Sequence, residues 1–310
     1  MAIENFPHIV GNRFERLSAA VIAMNCLLLA PVATSFLAAP AYALQPSSPL
    51  SNEETQALVK RVLQTEIDAA RDLSHPMQYR LRKSSPRLST TKLIIETKDG
   101  NVARLIATND TPLNAEDQHT EAARLQGLLD DPALQRHRQQ REQGDTERVR
   151  KVIRALPDAF LYQFAGIVDT PQGPDYRLSF KPNPNFDPQA LEAQALKGMA
   201  GELWIDVAQQ RVTHLEGRRI HAVDYGWGLV GKLDEGGTLL LEQADVGNHQ
   251  WRTVHMVLAM NARILFKTVQ LDTTLELSQF SPVAPNMTYQ QAIELLRTNN
   301  LQSSAKASGR

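Results

Sequence analysis

Few residues in this chain have types and spacing that could do chemistry, and each sets a condition on its neighbours. Gly226-x-Gly228-x-x-Gly231 matches the glycine pattern of a dinucleotide-binding loop. That pattern works only where a helix opens on it, so that the pyrophosphate meets the free N–H groups of the first turn. Here Gly236-Gly237 follows at once and Leu239-Leu240-Leu241 has the pattern of a strand, so the glycines are expected to bend or bulge a sheet. His75, His119, His137, His214, His221, His249 and His255 include no H-x-x-x-H pair on a helix, and no metal or cofactor is expected. There is no G-x-S-x-G elbow, and no carboxylate pair stands out by spacing, so an enzyme is not expected. A hydrolase whose two carboxylates meet in space stays open. The three tryptophans, Trp204, Trp227 and Trp251, all fall between residues 201 and 280. They pack a core, or they line a groove for a hydrophobic ligand.

The one cysteine, Cys26, lies in an N-terminal segment with export character. Arg13 and Arg16 precede an apolar run, Leu17 to about Ala30, and small residues lead to Ala41-Tyr42-Ala43, an A-x-A site. Cleavage after Ala43 is expected; the alternative is an uncleaved anchor. Cys26 lacks the small residue before it that a lipobox needs, and the mature chain would have no thiol and no disulfide. The protein is expected in an extracytoplasmic space, the periplasm or outside the cell, without a membrane span once the signal is cleaved. A net charge of −1 argues against nucleic acid as a partner.

The elements that must position any site follow. After a linker, Ser51-x-x-Glu54 has the form of a capping box, and Leu58, Val59, Val62, Leu63, Ile67 and Ala70 recur at helical spacing, with Lys60, Arg61, Glu66 and Asp68 elsewhere. This predicts an amphipathic helix over about 52–72. Met77, Tyr79 and Leu81 alternate with Gln78, Arg80 and Arg82, a half-buried strand, and Asp99-Gly100 marks a hairpin. From Asn114 to Leu156 charge is dense and β-branched residues are scarce. Three short helices are expected there, with Gly144 breaking the second and Asp145 capping the third. Strands resume at Phe160, and Tyr176, Leu178 and Phe180 share one face of the next. A long run of sequence-adjacent strands follows to Leu277, then a capped helix over 287–298 and a polar tail, 299–310, expected to be disordered. The order of elements predicts one α+β domain, residues 44–298, with a strongly curved antiparallel sheet, an N-terminal amphipathic helix and a helical insertion at 114–156.

The stretch Gly198-Met199-Ala200-Gly201-Glu202-Leu203-Trp204-Ile205-Asp206, returning through Arg211-Val212-Thr213-His214-Leu215-Glu216-Gly217, resembles the central hairpin of the lipoprotein-carrier (LolA/LolB-like) half-barrel superfamily. The signal segment, first helix and helical insertion resemble that family's layout as well. The resemblance implies an exported half-barrel whose concave face holds an acyl chain or lipoprotein segment under a lid formed by the inserted helices, 114–156. Trp204, Trp227, Trp251, Tyr176, Leu178 and Phe180 would then be ligand-binding residues, and Arg80 and Arg82 candidates to hold the lid. The contrasting expectation is an envelope scaffold or interaction protein with a filled core, bound to a protein partner.

Overall fold

The computed structural model describes residues 50–70, 74–225, 231–264 and 267–307. The first helix, α1 (Asn52–Ala69), begins as the sequence predicts. The Glu54 amide donates to Ser51 Oγ at 3.2 Å, and the Ser51 amide donates to Glu54 Oε2 at 2.8 Å. These bonds satisfy donors that a helix start leaves free. Leu58, Val59, Val62, Leu63 and Ile67 are all buried, a gross gain of roughly 8–15 kcal/mol at about 1.5–3 kcal/mol per side chain. Glu66 is buried with them, contrary to expectation.

Four strands follow: β1 (Met77–Ser85), β2 (Leu88–Ile95), β3 (Val102–Thr108) and the two-residue β4 (Thr111–Pro112). Two helices come next, α2 (Ala115–Asp130) and α3 (Pro132–Ala159), and then β5 (Phe160–Thr170) and β6 (Gly173–Pro182). The insertion thus holds two helices and not three. Gly144 and Asp145 sit inside α3, where Asp145 pairs with Arg148 one turn on instead of capping a new helix. An interior glycine costs about 1 kcal/mol relative to alanine, which does not break a helix packed at both ends.

A single turn, α4 (Leu191–Gln194), leads to β7 (Met199–Asp206), β8 (Val212–Arg219), β9 (Val223–Tyr225), β10 (Gly231–Leu233), β11 (Thr238–Asp245), β12 (Trp251–Ile264) and β13 (Lys267–Pro282). The last helix, α5 (Tyr289–Ala307), has the expected reciprocal Thr288/Gln291 cap but runs past residue 298, with no proline or glycine to stop it there.

The strands form one 13-stranded sheet in the order β4-β3-β2-β1-β13-β12-β11-β8-β7-β6-β5, with the β9–β10 hairpin beside β12. Every pairing is antiparallel and the sheet does not close into a barrel. Its two edge strands, β4 and β5, are consecutive in the chain, so α2 and α3 must cross from one edge to the other. Near its start α3 grips the β2–β3 hairpin: Gln135 Nε2 donates to the Asp99 carbonyl at 2.9 Å, and the Asn101 amide donates to Glu142 Oε2 at 3.0 Å. Near its end it meets β5, where Tyr162 Oη donates to the Leu156 carbonyl at 3.0 Å. Along the sheet, β2 and β5 are eight strand spacings apart, about 38 Å. Along α3, Gln139 to Leu156 is roughly 26 Å. Curvature of the sheet and side-chain reach make up the difference. Gly201 lets β7 and β8 approach closely, since a Cβ there would collide with the Glu216 carbonyl on β8.

One face of the β5–β8 half is covered by α1 and the end of α3. The core there joins Leu58, Val62, Ile153, Leu178, Leu203 and Val212. On the opposite face, α2 and α5 cover β2 and β3 through Leu125, Leu128, Ile293 and Leu296 against Ile95 and Val102. Among the described residues no helix is long and apolar enough to cross a membrane.

Candidate functional site

Strand register defines the face beneath α1. Leu178 lies opposite Leu203, Leu203 opposite Leu215, Leu215 opposite Leu241, Leu241 opposite Met256, and Met256 opposite Leu275. The result is one apolar row from β6 to β13. It continues into a cluster of Tyr79, Leu81, Ile94, Met256, Leu275 and Leu277, drawn from strands alone, and Leu239 packs against both this cluster and the core under α1. Farther along β12 and β13 on the same face, Leu258, Met260 and Leu271 are only half-buried.

The row changes character at its other end. Beyond Leu241 and Met256 the next inward pair is Gln243 and Thr253, reached across a bulge, and Trp251 follows. Here α1 is fastened. Glu66 Oε1 and Oε2 accept from Arg211 Nε at 2.8 Å and Nη2 at 3.0 Å. Glu66 also accepts from the Val212 amide at 3.2 Å and from Gln243 Nε2 at 3.4 Å. The side chains of Glu66 and Arg211 are 3% and 13% exposed. The Arg211 guanidinium lies 5.9 Å from the centre of the Trp251 ring. Within this buried polar end, Gln243 Oε1, Trp251 Nε1 and Thr253 Oγ1 have no hydrogen-bond partner.

The opposite face carries a charged row in the alternate register. Arg177 donates to both Glu202 oxygens at 2.6 and 3.0 Å, and the Trp204 indole N–H donates to Glu202 at 3.1 Å. The Trp204 and His214 rings lie 4.6 Å apart. Glu242 sits between His214 Nδ1 at 3.7 Å and His255 Nδ1 at 2.9 Å. Arg82 bridges Glu276 and Asp110, each at 2.7 Å. Arginine hydrogen bonds hold the Glu202 and Asp110 carboxyls below the ordinary carboxylate range. These are solvent-side pairs of small energetic weight.

The residues singled out from sequence therefore divide. Leu178 and Phe180 are buried beneath α1, Tyr176 is half-buried on the same face beside Phe164, and Trp251 is buried at the polar end. Trp204 is on the opposite face, stacked on His214. Trp227 lies outside the described residues, as do Gly226, Gly228, Cys26 and the export segment. Gly231, which would open the helix of a nucleotide loop, opens β10 instead. Arg80 and Arg82 are the sequence candidates to hold the inserted helices. They alternate with the buried Tyr79 and Leu81 and so face the other side, where Arg82 is held by Asp110 and Glu276. The arginine that grips α1 is Arg211, in the turn before β8. One sequence signal pointed to this pair, a carboxylate at position 66 inside the Val62-Leu63-x-x-x-Ile67 stripe.

Two carboxylates do meet as cross-strand partners, Asp175 and Asp206. Burial pushes the Asp175 carboxyl up, and the neighbouring Asp206 adds to it. Each has a structural bond, Asp175 Oδ2 accepting from Thr213 Oγ1 at 2.7 Å and Asp206 Oδ1 from the Gln209 amide. Among the described residues no three histidine or carboxylate groups converge as metal ligands would.

No protein-family model matches the chain, and no curated protein does. The chain is similar to a solved domain described as an outer membrane lipoprotein-sorting protein from Vibrio parahaemolyticus, at 13% identity and a TM-score of 0.30, over 75% of this chain and 93% of that one. It is also similar to a DUF1329 family protein from Desulfovibrio piger, at 9% identity and a TM-score of 0.26, over 74% of this chain and 92% of that one.

Proposed function

We propose that the protein is an exported carrier or sensor that holds a hydrophobic ligand, an acyl chain or a lipoprotein segment, against the concave face of its sheet. One observation carries this reading: the apolar row passes from beneath α1, through Leu239, to the half-buried Leu258, Met260 and Leu271. A domain that needed only a core would end that row under its helices. Burial of each ligand methylene on such a surface contributes about 0.8 kcal/mol. In this reading α1 is the movable cover. Its apolar stripe shields Leu178 and Phe180 when no ligand is held, and α3 fixes the curvature of the sheet. The role is binding, with no chemical step and no cofactor, and the place of action is the cell envelope or outside it.

The filled-core scaffold is the second reading, and the burial of Leu178 and Phe180 by α1 favours it. One experiment separates the two. The protein is purified from its export compartment, examined by native mass spectrometry for bound lipid, and titrated with N-phenyl-1-naphthylamine. The carrier reading expects bound lipid or saturable probe fluorescence, weakened at least tenfold by Leu258→Glu with Met260→Glu. No lipid and no probe binding would leave the scaffold.

A further inference from the structure

The polar end of the concave row is built for a particular chemistry. Gln243, Trp251 and Thr253 are 4%, 5% and 5% exposed, yet Gln243 Oε1, Trp251 Nε1 and Thr253 Oγ1 have no partner. Buried polar atoms are nearly always paired, because each unpaired one forfeits its bond to water. These three atoms lie on one strand pair and one face, at the end of an apolar row, and the adjoining Gln250, 4% exposed, leaves both its amide atoms unpartnered as well. The set offers one acceptor, one N–H donor, and one hydroxyl that can be either. Its charge is balanced, since Glu66 is ion-paired to Arg211 and its carboxylate borders Gln243 at 3.4 Å. An anionic group placed here would face that carboxylate, and Arg211 is already engaged. Lys83, which shares the inward face by register, stands on β1 level with Leu275, two strands away from β12.

We infer that Gln243, Trp251 and Thr253 form the head-group site of an amphiphile whose head is uncharged and carries both hydrogen-bond donors and acceptors, such as a glyceride ester with free hydroxyls or a primary amide. The tail lies along β11 and β12 on Leu241, Met256 and Leu258. This rests on the carrier reading and specifies its ligand class.

The test is competition for bound N-phenyl-1-naphthylamine at pH 8 by monooleoylglycerol, oleamide and oleate, which share a tail and differ in head. Monooleoylglycerol and oleamide should displace the probe at least about tenfold better than oleate, a factor equal to one or two hydrogen bonds. Thr253→Val replaces the unpartnered hydroxyl with a methyl of the same shape and should fold, whereas Gln243→Leu also removes the 3.4 Å bond to Glu66, which keeps its bonds from Arg211 and the Val212 amide. Each should weaken displacement by monooleoylglycerol and oleamide relative to oleate by about fivefold or more, the loss of about one hydrogen bond. Equal displacement by all three in the natural protein overturns the inference and leaves the carrier reading standing, as would be found if the niche holds only water. A preference undiminished in both variants also overturns it. Failure of the probe itself to bind overturns the carrier reading instead.

Discussion

Replacing Glu66 with alanine should destabilise the domain far more than replacing any charge on the outer face. The carboxylate is 3% exposed and accepts from Arg211 twice, from the Val212 amide and from Gln243. It also lies in the last turn of α1, where the partial negative charge of the helix end opposes a carboxylate, so its position depends on the arginine. Removing it leaves a largely buried guanidinium unpaired and two further donors without an acceptor. Breaking a buried pair from one side costs about 3–5 kcal/mol. For a domain of this size that lowers Tm by roughly 6–20 °C, at 2–4 °C per kcal/mol. Urea unfolding followed by circular dichroism would measure it for Glu66→Ala, Arg211→Ala and the double variant. The double variant removes both charges at once and should cost less than the sum of the singles by at least about 2 kcal/mol. Single losses below about 1 kcal/mol, additive in the double variant, would refute the reasoning that this pair fastens α1 to the sheet.

Arg82→Met, by contrast, removes pairs whose side chains are 34%, 51% and 56% exposed, and should cost less than about 1 kcal/mol in the same assay. Gly201→Ala should cost more than about 3 kcal/mol or prevent folding, because the added Cβ meets backbone on β8 and not a side chain that can turn aside; expression and unfolding midpoint measure it. Asp175 gives a pH signature. Its folded carboxyl titrates above its unfolded value, so the stability it contributes is fully present below about pH 4 and is lost as pH rises through the higher folded value. Asp175→Asn should flatten that part of the stability–pH curve, and an unchanged slope would contradict the assignment. On the proposed cleavage after Ala43, mass spectrometry of the mature protein should find its first residue to be Leu44.

The strand pattern of this chain was legible because alternation is local. Tyr176, Leu178 and Phe180 face the core as their spacing requires, and the Asp99-Gly100 turn and both capping boxes are where short-range chemistry puts them. The helical insertion was less legible. Gly144 and Asp145 look like a stop and a start, but packing of α3 on the β2–β3 hairpin at one end and on β5 at the other overrides a local cost of about 1 kcal/mol. Which face of the sheet is covered was not legible at all. Trp204 sits among Leu203 and Ile205 in sequence, yet alternation sends it to the charged side, and only the pairing with His214 says which side that is. Arg211 was hidden for the same reason, as its partner is far away in the chain. The polar niche was likewise hidden, because the bulge between Glu242 and Gln243 turns β12 by one residue and brings Thr253 inward beside Gln243.

The pairing of β1 with β13 has a consequence for the order of events during synthesis. Leu81 is bonded into the sheet opposite Leu277, about two hundred residues later in the chain. Until that last strand is made, β1 has one open edge, Tyr79 and Leu81 have no floor, and the curved half cannot close. Contacts so distant in sequence slow folding. A chain emerging N-terminus first can pair β5 to β8 under α1 early, but β1 to β4 join that sheet only when the final strand arrives. For the export proposed above that delay is useful, since strands that cannot join the sheet early remain threadable for as long as passage takes.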